Sequence, residues 1–164
     1  LILAYLDEAY PQPPLLPSQP AARARCRLDA HYADALMLPA LRALMHRTAP
    51  PAGDATRRAW LAADALIAEA ALGHHLAELD RRLAGRAFFG EALSIADIAL
   101  FMAVLFCRRL GGPGLQPFAE LDAWYERLGA RPAFAAVVEE IREADRRLSV
   151  AVGEPAMAGG RAIA

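Results

Sequence analysis

The sequence has few cysteines, almost no net charge and no long apolar run. Its 164 residues contain two cysteines, Cys26 and Cys107, which lie far apart and form no CxxC motif. Two reduced, packed thiols are the simplest interpretation, and they suit a cytoplasmic protein. The formal net charge of -1 gives no electrostatic reason to expect binding to nucleic acid or to an anionic membrane surface.

Several kinds of segment are also missing. The most apolar stretch, residues 98–107, is about half the roughly 20 residues that a membrane-spanning helix needs. The start of the chain has no basic region, and Asp7 and Glu8 interrupt its apolar residues, which argues against a signal peptide. His74 and His75 are adjacent, whereas a helical metal site favours i,i+4 spacing. We therefore expect no membrane segment and no metal site.

What the sequence does contain is helical periodicity, divided into four segments. Residues 1–12 predict a short helix that Pro11 ends and that has no N-cap residue ahead of it. Residues 13–20 are a proline-rich linker, and residues 21–148 predict a helical domain. Residues 149–164, rich in Gly and Ala, are expected to form a flexible tail. We therefore predict an all-α fold, in which one helix precedes a bundle of five to six helices.

Apolar spacing places five helices in the helical domain, at residues 21–47, 54–83, 94–110, 118–128 and 131–148. Pro39 is expected to bend the first of them. The predicted buried stripe of that helix is Leu28, Tyr32, Leu36, Ala40 and Leu44. The predicted buried stripe of the second helix is Trp60, Ala63, Ile67 and Ala70, followed by Leu72, Leu76, Leu79 and Leu83. The third helix is apolar on nearly every side, which places it at the centre of the bundle.

The start of that third helix carries the sharpest local motif. Ser94 is placed as the N-cap, and Asp97, three residues later, can accept from the backbone N–H of Ser94 as in a capping box. Leu93 and Ile98 can close the turn as a hydrophobic staple. We interpret Asp97 as a structural residue and not as a catalytic acid.

Four stretches, taken together, resemble the cytosolic glutathione transferases. They are AYLDEAYP at 4–11, PLLP at 14–17, SIADIA at 94–99 and LDAWYERLGARPAF at 121–134. Their order and spacing match over residues 2–148. Members of that family have a thioredoxin-like domain followed by an all-helical domain. The resemblance implies that this chain is the C-terminal helical domain, preceded by the last helix of a thioredoxin-like domain that is mostly missing.

The resemblance also assigns a candidate site. It puts the catalytic and glutathione-binding groups ahead of residue 1, so the chain is expected to be a fragment, and no catalytic residue is assigned. Glutathione would be the co-substrate of the full-length parent. In the family, the first helix of the helical domain lines the acceptor-substrate pocket, and the matching face here carries His31, Asp34, Ala35 and Leu38. The alternative is an ordinary solvated face with a His31–Asp34 pair.

Two functions of different classes follow from the resemblance. The first is a cytoplasmic enzyme, a homodimer through its first two long helices, that conjugates glutathione to small hydrophobic electrophiles. On this hypothesis the fragment alone does not turn over. The second is a non-catalytic helical module of the same fold that binds other proteins. A relative that sequesters ligands without turnover is a third possibility.

Overall fold

A computed structural model describes residues 2–51 and 53–150 of the chain, and these residues are mostly helical. The helices are α1 (Ile2–Ala9), α2 (Pro20–Tyr32), a π-helical segment (Ala33–Met37), α3 (Leu38–Leu44), a 3-10 turn (Met45–Thr48), α4 (Ala55–Leu83), α5 (Ile95–Arg109), α6 (Ala119–Gly129) and α7 (Pro132–Leu148). The described residues contain no β-strand, so the predicted all-α fold is confirmed. None of these helices is long and apolar enough to cross a membrane.

The division of the chain into segments 1–12, 13–20, 21–148 and 149–164 stays a prediction. Most of the predicted tail, residues 151–164, lies outside the described residues, as do Leu1 and Ala52.

Helix α5 forms the centre of the bundle, as its sequence predicted. Nine of its 15 residues are buried, and it packs against α2, α3 and α6. The turn that follows α5 requires glycine. Gly111 adopts φ 66°, in the left-handed region. A Cβ on Gly112 would come within 2.7 Å of the Cys107 sulfur. This turn lets the chain leave the core abruptly after its most apolar helix.

Helix α4 was predicted correctly in its second half and wrongly in its first. Leu72, Leu76, Leu79 and Leu83 are fully buried. Trp60 and Ile67, however, are 64% and 72% exposed, and Ala63 and Ala70 are exposed as well. The buried row instead extends from the leucines back through Ala68 and Ala65. In this half of α4, the small side chains of Ala65 and Ala68 face the bundle, and the large side chains of Trp60 and Ile67 are exposed.

The predicted stripe of the first long helix was also wrong in register. Leu28 and Leu36 are 68% and 49% exposed, and of the five predicted positions only Leu44 is fully buried. The observed buried row is Cys26, Asp29, Ala33, Met37, Leu41 and Leu44. The row includes the buried Asp29, which a pattern of apolar residues does not predict. The bend expected at Pro39 stays a prediction, although residues Ala33–Met37, just before Leu38 and Pro39, adopt π-helical geometry.

The linker is anchored on both sides by hydrogen bonds. The Asp7 carboxylate in α1 accepts from the backbone N–H groups of Leu15 and Leu16, at 2.5 and 3.2 Å. The Leu15 carbonyl in turn accepts from Ile95 N–H at 3.0 Å, at the first turn of α5. Both leucine side chains pack against the core. The position of α1 is therefore tied to the central helix.

Candidate functional site

The four predicted pocket residues lie on one continuous helical stretch. His31 ends α2, Asp34 and Ala35 belong to the π-helical segment, and Leu38 begins α3. All four are exposed, on the side opposite the buried row of the same stretch. Within residues 2–51 and 53–150, no hydrogen bond or ion pair links His31 to Asp34. The structure thus brings these residues onto one face, where an apolar side chain lies beside two polar ones.

A polar pair next to this face was not predicted from the sequence. The Tyr32 hydroxyl lies 2.8 Å from Nδ1 of His75, and the two rings meet edge to face with centroids 5.4 Å apart. Burial lowers the pKa of His75, and the neighbouring His74 lowers it further. Burial also raises the pKa of Tyr32. The pair joins α2 to α4 while both groups are neutral.

A second unpredicted contact involves Asp29, which is 8% exposed in the core. Its carboxylate accepts a hydrogen bond from Arg82, and the two residues form an ion pair between α2 and α4. The Arg82 guanidinium also lies 5.7 Å from the centre of the Tyr32 ring and 5.4 Å from that of Phe89. The partners are 53 positions apart, so no local pattern reveals the contact.

The Asp97 cluster, made of Asp97, Ser94, Phe89 and Trp124, lies at the start of α5. The fully buried Asp97 carboxylate accepts from Ser94 N–H and Oγ at 3.0 Å, Phe89 N–H at 3.1 Å and Trp124 Nε1 at 3.2 Å. The Phe89 and Trp124 rings meet edge to face, with centroids 5.2 Å apart. The carboxylate therefore joins three segments of the chain. Because these donors occupy it, the geometry suits a structural role.

No arrangement suited to metal binding occurs in the described residues. Groups of three or more His, Cys, Asp or Glu side chains close enough to hold an ion are absent there. His74 uses Nδ1 against the Ala70 carbonyl at 2.7 Å, while His75 faces Tyr32. The two adjacent histidines thus point to different partners.

Comparison with known proteins identifies this helical architecture. Residues 32–132 match the family model of the glutathione S-transferase C-terminal domain. The chain belongs to the glutathione S-transferase family. This match spans the π-helical segment, α4, the Asp97 cluster and α6, so the family assignment rests on the part of the chain that holds the core.

Individual relatives agree with the assignment of this glutathione S-transferase domain. A probable glutathione S-transferase from Oryza sativa subsp. japonica is 32% identical, over 90% of this chain and 64% of its own length. A sphingomonad glutathione S-transferase, solved with glutathione, is 27% identical with a TM-score of 0.66, over 85% of this chain and 64% of its own. The theta class enzyme of Xanthomonas axonopodis pv. citri, with glutathione bound, is 25% identical with a TM-score of 0.68, over 84% and 70%. The chain therefore spans less than two thirds of the length of the first two relatives.

Proposed function

We propose that this chain acts as the helical domain of a cytoplasmic glutathione transferase that conjugates glutathione to small hydrophobic electrophiles. The observation that carries the proposal is the exposed face formed by His31, Asp34, Ala35 and Leu38, where the helix changes from α to π geometry. Single-turn π-helical segments are frequently found at functional sites. The family assignment supplies the reaction class.

The chemistry of this face fits an apolar acceptor. Leu28 and Leu38 lie exposed on it, and His31 and Asp34 add groups that can orient a polar substituent. Binding sites for small molecules combine such apolar walls with a few placed polar groups. In the proposed reaction, the glutathione thiolate forms a C–S bond at the electrophilic carbon and the leaving group departs.

Thiol activation belongs, on this proposal, to a thioredoxin-like domain outside these 164 residues. The support is the outer side of α1, where Ile2, Tyr5 and Tyr10 are all largely exposed. This helix has an apolar side that the helical domain does not cover, and a neighbouring domain would remove it from water. Glutathione would then bind mainly to that neighbouring domain.

The exposed side of α4 supports a homodimer. Trp60, Leu66 and Ile67 project from it, and each is about two-thirds exposed or more. A cluster of large apolar side chains on a surface favours burial against another protein. A second copy of the chain is the proposed occupant. The same side chains also support the alternative function, a non-catalytic module whose partner is a different protein.

The proposal is tested on the protein purified from its natural source. Intact mass determines how much sequence accompanies these residues, and conjugation of 1-chloro-2,4-dinitrobenzene is followed by absorbance, since the C–Cl bond breaks as the C–S bond forms. We expect additional mass of at least a small domain, on the order of 50 residues, together with glutathione-dependent turnover. A mass matching the 164 residues, or no turnover with any of several electrophiles, would favour the interaction module.

A further inference from the structure

Helix α1 is held on the helical domain by directional hydrogen bonds more than by apolar burial. Its inner side carries Leu3, Ala4 and Asp7, and each of these residues is only half-buried. None of the eight residues of α1 is buried, although Leu3 packs against the edge of the core. Because apolar contact is non-directional, such limited packing does not fix how α1 is oriented. The orientation must come from its polar contacts.

The Asp7 carboxylate supplies the directional contact. Its Oδ1 atom accepts from the backbone N–H of Leu15 at 2.5 Å and from that of Leu16 at 3.2 Å. Hydrogen bonds to an ionised carboxylate are short and about twice as strong as those between neutral groups. Two successive N–H groups on one oxygen determine both the distance and the angle between α1 and the linker.

The linker offers few other N–H groups for such a contact. Five of the ten residues 11–20 are prolines, which carry no N–H. Two successive N–H groups occur only at residues 15–16 and 18–19 of this segment. The contact of Asp7 is therefore confined to a particular place in the linker.

The carbonyl groups of the linker are fixed to the helical domain. The Leu15 carbonyl accepts from Ile95 N–H at 3.0 Å, at the first turn of α5. Arg23 of α2 donates to the Pro17 and Ser18 carbonyls, at 3.0 and 2.6 Å. Leu15 thus connects α1, through its N–H, to the central helix, through its carbonyl. A change at Asp7 would release α1 while the linker stays attached to the bundle.

We propose that Asp7 is a positioning residue that sets the orientation of the thioredoxin-like domain relative to the face proposed to bind the electrophile. This inference rests on the proposed function, in which that domain packs on the outer side of α1 and holds glutathione. The thiolate must reach the bound electrophile before the C–S bond forms and the leaving group departs with its electron pair. Such a reaction depends steeply on geometry, since a displacement of about 1 Å can cost about 100-fold in rate. Asp7 acts through Leu15 and Leu16, and not through contact with either substrate.

The test uses the natural-length protein and compares wild type with Asp7→Ala, Asp7→Asn and Glu8→Ala. Asparagine keeps an oxygen that can accept from the same N–H groups, so Asp7→Asn separates loss of the acceptor from loss of the charge. Glu8, the next carboxylate of α1, is exposed and serves as the control. We measure kcat and the KM values for glutathione and 1-chloro-2,4-dinitrobenzene. Calorimetric titration with glutathione gives the fraction of protein that is competent to bind.

We expect Asp7→Ala to lower kcat by about tenfold or more and to change both KM values by less than about twofold, because each substrate binds its own domain. Asp7→Asn should recover most of the rate, and Glu8→Ala should match wild type. The glutathione stoichiometry should be the same in all variants, which would exclude partial unfolding as the cause of the lower kcat.

Hydrogen exchange locates the effect within the chain. In Asp7→Ala, the amides of Leu15 and Leu16 should exchange faster, because they lose their acceptor. The amides of Phe89 and Ser94, whose acceptor is Asp97, should exchange as in wild type.

The outcomes separate this inference from the proposed function. No turnover by wild type would overturn the proposed function and this inference with it. Turnover by wild type with an unchanged kcat in Asp7→Ala, or an equal loss in Glu8→Ala, would overturn the inference alone. A lower kcat accompanied by a lower glutathione stoichiometry, or by faster exchange at Phe89, would also overturn it, because the loss would then come from unfolding.

Discussion

The Asp97 cluster and the face around His31 show two ways in which one helical domain uses polar residues. In the cluster, a fully buried carboxylate accepts from Ser94, Phe89 and Trp124. On the face, His31 and Asp34 are exposed and not linked to each other within the described residues. In the cluster, the fold itself requires an acceptor at position 97. On the exposed face, the fold does not require particular residue types at positions 31 and 34, so a binding partner can determine them.

The largest effect is expected in the cluster. Asp97→Ala should lower the free energy of unfolding by about 3 kcal/mol or more, because several buried donors lose their acceptor. Asp34→Ala, the matched change on the exposed face, should alter it by less than about 0.5 kcal/mol. Urea unfolding measures both. Similar losses in the two variants would remove the contrast between the regions.

The Asp29–Arg82 pair lies between these extremes. Arg82→Met leaves the Asp29 carboxylate in the core without its partner, so we expect a loss of about 1–2 kcal/mol in unfolding free energy. Arg81→Met, next to it in sequence but exposed, should have an effect within about 0.5 kcal/mol. A variant Arg82→Met as stable as wild type would show that Asp29 is satisfied in another way.

A smaller, pH-dependent effect is expected where α5 meets α7. Arg109 donates to both Asp145 oxygens, at 2.6 and 2.5 Å, and these hydrogen bonds lower the pKa of Asp145 below its ordinary value of 3.8. The lowered pKa stabilises the fold at pH values above 3.8, and this contribution disappears as the pH falls toward the folded-state pKa.

Asp145→Asn should therefore cost about 1 kcal/mol near neutral pH, and the difference from wild type should shrink as the pH falls below about 4. Urea unfolding at a series of pH values measures this difference. Glu140→Gln, an exposed carboxylate on the same helix, is the control. A difference that stays constant with pH would contradict the ion-pair explanation.

The difference between local and long-range contacts explains which features of the structure could be predicted from the sequence. The capping pattern of Ser94 and Asp97 lies within four residues, so the helix start and its polarity could be inferred locally. That Trp124 Nε1 also donates to Asp97 depends on residues 27 positions apart. The fold class and the limits of α4, α6 and α7 followed from helical period, from the Asp54 N-cap and from Pro132 at the start of α7.

The errors arose where side-chain polarity and burial disagree. The register of α2 and α3 was wrong because Asp29 is polar yet buried, while Leu28 is apolar yet exposed. Trp60 and Ile67 were wrongly predicted to lie in the core because helical periodicity identifies the apolar side of a helix but not whether the core of the domain covers that side. Of these misplaced residues, Leu28 lies on the face proposed to contact the electrophile, and Trp60 and Ile67 lie on the side of α4 proposed to contact a second copy. The candidate face at His31, Asp34, Ala35 and Leu38 was predicted from family resemblance and not from a local pattern, and its role stays a prediction.

The most direct test of the account measures the KM for electrophile and for glutathione in the natural-length protein with Leu38→Ser. Leu36→Ser is the control, because Leu36 is an exposed leucine of the same helical stretch outside the candidate face. We predict that Leu38→Ser raises the KM for 1-chloro-2,4-dinitrobenzene severalfold, on the order of 1 kcal/mol of lost apolar contact, with the KM for glutathione unchanged and the control like wild type. Unchanged electrophile KM in Leu38→Ser, or an equal rise in Leu36→Ser, would contradict the proposed pocket.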